Sequence, residues 1–277
     1  MTTAFVLSGG ASLGAVQVGM LQALNDAGVA PDLLVGSSVG AINAAWIAAH
    51  PEPEGVEALA EIWRGLRRTT VFPASPLLGA VAMLGRRNHL VSPDGLVALL
   101  EQHLPFRRLE ETRTPLHVVA TDLLTGRAVL LSKGAAIPAL MASAAIPAVF
   151  PPVRIGGRDL IDGGVADYAP VSQAVALGAD RIFVLPAAHA CEMASPPRSV
   201  LAMALHSLNL MIESRLTADV ERLHDEVEVH VLPHPCPLAV SPADFSHGGE
   251  LIRRARLTVR RGLAGSERRI AGPRSVL

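Results

Sequence analysis

One serine in this chain sits where a nucleophile would be built. Residues 33–45 read L-L-V-G-S-S-V-G-A-I-N-A-A, an apolar run closed by Gly36-Ser37-Ser38-Val39-Gly40 and followed by a small-residue helix. This is the G-x-S-x-G form of a nucleophile elbow, centred on Ser38. Such a turn lifts a hydroxyl out of a sheet and sets it at the N-terminus of the next helix. Unpaired N–H groups and the helix dipole there favour developing negative charge. Gly36 and Gly40 let neighbouring backbone pass close to the turn. In a chain with 24 glycines the same pentapeptide also arises as an ordinary turn, so Ser38 needs partners.

Two other glycine-marked stretches qualify as partners. Ser8-Gly9-Gly10-Ala11-Ser12-Leu13-Gly14 follows the first apolar run and precedes a helical pattern. Consecutive backbone N–H groups of such a loop form an oxyanion hole when they converge on an ester carbonyl. The predicted donors are the N–H groups of Gly10 and Ala11, with Gly9 shaping the turn, and that of Val39, next after the serine. The competing use is phosphate binding at the same βα position. Against it, the spacing is G-G-x-x-x-G, and the second strand ends in Gly36-Ser37 where an acidic residue for a ribose would stand. The other stretch is Asp162-Gly163-Gly164, an aspartate leaving a strand at the end of a sheet where ligands gather. Taken alone it is equally a hairpin exit turn.

A serine nucleophile needs a base. Histidine is the usual one, and the chain has 10. His189, His206, His224, His230, His234 and His247 all follow Asp162 and satisfy the order Ser, Asp, His of α/β-hydrolases. None of them lies in a glycine-bounded loop beside a strand end, and few strands precede Ser38. A direct Ser38–Asp162 pair uses the residues that local sequence marks. Both arrangements stay open on the residues alone. Cys191 and Cys236 stand in neither a C-x-x-C nor a metal-type spacing, so no disulfide framework, zinc site or other cofactor is expected.

The elements that must carry these residues are legible from periodicity. Strands are predicted at 4–7 and 33–35, with a helix over 15–27 between them and Gly28 as its C-cap. Strand, glycine loop, helix, strand, elbow, helix implies a parallel sheet with helices on its faces. Helices over 54–66 and 92–103 follow, the second with Ser92 as N-cap and Pro93 in first position. Between them, the apolar patch 77–84 before Arg86-Arg87 reads as a packed helix with a basic end, its other use being a lid or membrane contact. Strands at 116–120 and 127–131 flank a turn that Asp122 structures. A helix over 135–144, an extended apolar loop over 146–152 and a hairpin around Gly156-Gly157 lead into Asp162. The extended loop is a candidate wall of an acyl pocket. Beyond it come a helix from Pro170 to 177, a strand at 181–185, helix 199–223, strand 227–232, a proline-rich loop and helix 243–263.

The 277 residues are 50% hydrophobic but 3% aromatic, so the core is expected to be aliphatic and alanine-rich. A net charge of −1 gives no global attraction to nucleic acid or anionic membrane. The opening M-T-T-A-F-V-L-S-G-G lacks the basic region and long apolar core of a signal peptide. The longest apolar stretch, 33–49, is broken by serines, asparagine and glycines, so no membrane span is expected. A cytoplasmic protein of one domain is the expectation, and nothing bears on its oligomeric state.

These segments together resemble the patatin-like phospholipase family. The resemblance is carried by Leu7-Ser8-Gly9-Gly10 through Gly14, Gly36-Ser37-Ser38-Val39-Gly40-Ala41, Ala120-Thr121-Asp122, Ala142-Ser143 with Ile146-Pro147 through Pro151-Pro152, and Asp162-Gly163-Gly164. It implies a three-layer α/β/α fold with a mostly parallel central sheet. The family core would span 4–175, with 176–263 completing the same domain and 264–277 a loose tail. By resemblance Ser38 is the nucleophile and Asp162 its proton acceptor, with no histidine. The loop residues Gly9, Gly10 and Ala11, with Val39, are the oxyanion hole, and Gly14, Gly36, Gly40, Gly163 and Gly164 support the motifs. The implied activity is hydrolysis of acyl esters in lipids. The implied partner is a lipid or acyl-ester substrate, met at a transient membrane-surface contact, with no cofactor, metal or nucleic acid. Ala11 stands where the family usually has a third glycine and Leu13 where it often has a basic residue, and both keep the backbone N–H. Acyl transfer to another alcohol uses the same residues, and a non-catalytic lipid-binding protein uses the same fold.

Overall fold

The first strand, β1 (Thr3–Leu7), is buried along its whole length, and its run from Ala4 to Leu7 is apolar because both of its faces are covered. The computed structural model describes residues 1–72, 88–188, 210, 216–223, 226–238 and 240–269. After β1 a 3₁₀ turn, Ala11–Gly14, runs into α1 (Ala15–Asp26). Then come β2 (Leu33–Ser37), α2 (Val39–Ala49), α3 (Pro53–Gly65) and the single turn α4 (Arg68–Val71). α5 (Asp94–His103), β3 (Leu116–Asp122), β4 (Ala128–Leu131) and α6 (Ala136–Ser143) follow. The hairpin β5 (Val153–Ile155) and β6 (Arg158–Asp162) precedes α7 (Val171–Ala176) and β7 (Arg181–Leu185). β8 (Glu228–Val231) and α8 (Gly248–Arg269) complete the described elements.

The eight described strands form one mixed sheet, in the order β5-β6-β3-β2-β1-β7-β8, with β4 also paired to β3. The run β3-β2-β1-β7-β8 is parallel, β4 and β6 pair antiparallel with β3, and β5 pairs antiparallel with β6. Alternation along β1 splits the core. Phe5 and Leu7 face the larger layer, built with α1, α2, α3 and α8, while Ala4 and Val6 face the smaller, built with α7 and Leu223. Helices thus cover both faces, as the βαβα opening implies.

Several expectations change in detail. Residues 146–150 are not extended: Val149 and Phe150 both return their N–H groups to the Ile146 carbonyl, with Ala148 at φ 67°. The turn lets the Phe150 side chain bury itself. The last helix starts at Gly248, because Ser241, Asp244 and Ser246 bond among themselves in a turn. It continues to Arg269, into the residues expected to be a tail, since no proline interrupts it before Pro273. Cys236 is disulfide-bonded, against the expectation from spacing. Spacing along the chain fails here because tertiary proximity decides the pairing, and Cys191, the other cysteine, lies outside the described residues. So do the 77–84 patch with Arg86-Arg87 and most of the 199–223 helix.

Candidate active site

The ends of β2 and β6 meet, and strand register explains why. Along β3, Ser37 of β2 lies opposite Val119 and Asp162 of β6 lies opposite the next residue, Ala120. β4 occupies the other flank of residues 118–121. β2 and β6 therefore abut end to end beside β3, and the residue leaving β2 faces the residue closing β6. Ser38 Oγ donates a hydrogen bond to Asp162 Oδ2 at 2.5 Å, across 124 residues of sequence.

Ser38 sits at φ 55°, ψ −128°, just before α2. A non-glycine residue held there stores about 1–3 kcal/mol of strain, which the surroundings must fix. The Ser38 N–H donates to Ser143 Oγ at 2.8 Å, and Ser143 in turn donates to the Val119 carbonyl at 2.5 Å. A Cβ on Gly40 would stand 2.2 Å from the Leu7 carbonyl oxygen, and one on Gly36 2.5 Å from Ala41 Cα. Both elbow glycines are thus dictated by backbone contact. Gly163 is wedged likewise against the Val119 carbonyl and Ser37.

Asp162 is 7% exposed. Its Oδ1 accepts the Gly164 N–H at 2.8 Å, and Thr121 Oγ1 donates to its carbonyl at 2.8 Å. Loss of hydration raises its pKa to about 6, although the hydrogen bonds from Ser38 and Gly164 pull the other way. Asp122, by contrast, accepts the N–H groups of Leu124 and Thr125 and serves the β3–β4 turn. Backbone donation from Thr125 holds its carboxyl below the usual range.

The glycine loop lies against this pair. A Cβ on Gly9 would touch Ser38 Cβ at 3.3 Å, and Gly14 packs on Val39. Gly10 adopts φ 154°, where a side chain would also strike Ala187 Cβ at 2.7 Å. The Gly9 N–H is turned away to the Tyr168 carbonyl at 3.2 Å, so Gly9 shapes the turn and is not a free donor. Among the described residues the N–H groups of Gly10, Ala11 and Val39 have no acceptor. Val39 opens α2, so its N–H lies at the positive end of the helix dipole.

The described histidines bond elsewhere. His230 pairs with Glu228, His234 meets the Ala187 carbonyl, and His247 lies between Asp244 and Glu250. His189, His206 and His224 lie outside the described residues. Among the described residues no three metal-binding side chains converge, and no helix is long and apolar enough to cross a membrane.

The sequence model of the patatin-like phospholipases matches residues 5–175. This chain belongs to that family. An NTE family protein of Mycobacterium tuberculosis is 30% identical over 177 residues, which cover 64% of this chain and 46% of that protein. The lysophospholipase NTE1 of Mycosarcoma maydis is 25% identical over 185 residues, covering 67% of this chain and 10% of the fungal protein. The chain thus matches less than half the length of either relative. The solved structure of VipD from Legionella pneumophila aligns with 93% of this chain and 67% of its own, at 16% identity and a TM-score of 0.45.

In this patatin-like protein Ser38 lines a cleft of about 490 Å³, part of it open to solvent. Its walls are apolar and include Ile42, Trp63, Phe72, Leu96, Ile146, Phe150 and Phe245. Phe72 stacks on Phe150 and meets Phe245 edge-on, and Phe245 stacks on Trp63. Four of the chain's nine aromatic residues therefore line one cleft. Sequence reasoning reached Ile146 and Phe150 and missed Trp63, Phe72 and Phe245. Their only signal was the scarcity of aromatics, and Phe245 lies beyond the family match.

Proposed function

We propose that this protein is a serine acyl hydrolase that cleaves carboxylic esters of lipids through a Ser38–Asp162 dyad. The observation that carries the reading is the 2.5 Å hydrogen bond to Asp162 Oδ2 from the Oγ of Ser38, a residue that lines an apolar cleft. Ser38 attacks the ester carbonyl while Asp162 takes its proton. The oxygen that gains charge is met by the unpaired N–H groups of Gly10, Ala11 and Val39, each donor being worth about 2.7–4 kcal/mol of barrier. The C–O bond then breaks, and the alcohol or lysolipid leaves with the proton from Asp162. Water attacks the acyl-enzyme, gives its proton to Asp162, and the fatty acid departs as Ser38 recovers that proton. A carboxylate is a weak base for a serine. Burial helps by raising its pKa toward the working pH and by strengthening the hydrogen bond to Ser38. The cleft suits an acyl chain, since every methylene it takes from water contributes about 0.8 kcal/mol.

Turnover of a short p-nitrophenyl ester, together with fluorophosphonate labelling, tests this. Ser38→Ala is expected to abolish both while the protein stays folded. Asp162→Asn is expected to cost on the order of 10⁴-fold in kcat, the scale of losing a triad carboxylate. Labelling at another residue, or near wild-type turnover in either variant, overturns the dyad.

A further inference from the structure

We propose that Gln17, Asn43 and Trp63 are positioning residues that set the oxyanion loop, a role that rests on the hydrolase reading above. Gln17 and Asn43 are both 0% exposed, polar residues sunk in the apolar faces of α1 and α2. Neither reaches the reacting atoms. Asn43 accepts the Trp63 indole N–H at 2.9 Å on Oδ1. Its Nδ2 donates to the Gly14 carbonyl at 3.0 Å and to Gln17 Oε1 at 2.9 Å. Gln17 Nε2 donates in turn to the Ser8 carbonyl at 2.8 Å and the Leu185 carbonyl at 3.0 Å. Every amide hydrogen in this chain of groups is used, which fixes the orientation of both side chains.

The points it ties down are the two ends of the loop. Ser8 is where the chain leaves β1, Gly14 is where it enters α1, and Gly10 and Ala11 lie between them. Leu185 ties the same network to β7, beside the loop. Ser8 extends it, since its hydroxyl donates to the Gly9 carbonyl at 3.1 Å and accepts the Ala187 N–H at 2.8 Å. At the other end, Trp63 packs against Gly14 and lines the cleft. Packing alone would not need two buried amides here. Buried polar groups specify one arrangement when all are satisfied, and an oxyanion hole needs its N–H groups placed to a fraction of an ångström.

Trp63→Phe removes the indole N–H together with part of the ring that lines the cleft, so hydrolysis is read on the short acetyl ester, and Gln17→Met removes the amide at similar volume. Both are to be compared with wild type by kcat, KM and the pH profile of ester hydrolysis, with the fold checked by thermal melting. The expected result is a loss of kcat of about 10-fold to 100-fold, the scale of a misplaced catalytic geometry. KM is expected to stay within about twofold, and the acid limb set by Asp162 to stay in place. The double variant should fall no further than the worse single one, because the residues act as one unit. Full kcat in Trp63→Phe, a loss carried by KM, or a displaced acid limb overturns the proposal. If Gln17→Met fails to fold, Trp63→Phe decides alone. Wild-type turnover with unaffected variants sinks only the network, whereas absence of wild-type turnover sinks the hydrolase reading and the network with it.

Discussion

Asp162 carries the sharpest consequences of any single residue. Its pKa of about 6 follows from burial, and the base proposed for it works only when ionised. kcat/KM is therefore expected to rise with pH to a plateau above about pH 6, with one acid limb. A limb near the ordinary carboxylate value of about 4 would mean that water reaches Asp162 in the working enzyme. Stability has the opposite sign. The folded protein keeps a proton that the unfolded chain gives up between pH 3.8 and about 6, so stability falls as pH rises through that window. At 1.36 kcal/mol per pH unit, the buried charge costs about 3 kcal/mol above the window. Asp162→Asn cannot ionise. Relative to wild type it is expected to be more stable in urea unfolding near pH 8, and to lose most of that advantage near pH 4. An advantage independent of pH would show that Asp162 is not the group that titrates.

Among the elements, α1 and its seat against α8 show how closely the outer layer is set. Gly19 of α1 lies under α8, and a Cβ there would stand 2.1 Å from the Ile252 carbonyl oxygen. Backbone cannot rotate away as a side chain can. Gly19→Ala is expected to destabilise the protein by about 1–3 kcal/mol, the usual cost of overpacking. A lowered Tm with retained cooperativity would be the sign, and an unchanged Tm would mean that α8 moves freely. Elbow and loop were legible element by element, because Gly and Ser punctuate strand ends. The start of α8 was not, since apolar periodicity before it hides the Ser241–Ser246 turn, whose hydrogen bonds are local but carry no hydrophobic signal.

Across the whole molecule, the cleft joins α3, α4, α5, the turn after α6 and the segment before α8. Phe245 closes this assembly from far along the chain, stacked on Trp63 and edge-on to Phe72. Phe245→Leu keeps the site apolar while shortening the wall. Preference across a series of p-nitrophenyl esters is expected to move toward longer acyl chains, each added buried methylene gaining up to about fourfold in kcat/KM. An unmoved chain-length profile would place the acyl chain elsewhere.

By itself the sequence determined which residues are marked for chemistry. Ser38, the Gly9–Gly14 loop and Asp162 each stand at a strand end with glycines, because tight turns constrain residue type locally. It also determined the layered α/β class, through uninterrupted apolar strands alternating with helices. Only the tertiary structure decided how those marks combine. Register on β3 sets Asp162, and no described histidine, against Ser38. Folding directs the Gly9 N–H to Tyr168 and leaves those of Gly10, Ala11 and Val39 unpaired. It also buries Gln17 and Asn43 beneath the loop and gathers the scarce aromatics around one cleft. These are contacts between distant segments, and the pattern of residues within any one segment does not encode where its neighbours in space will come from.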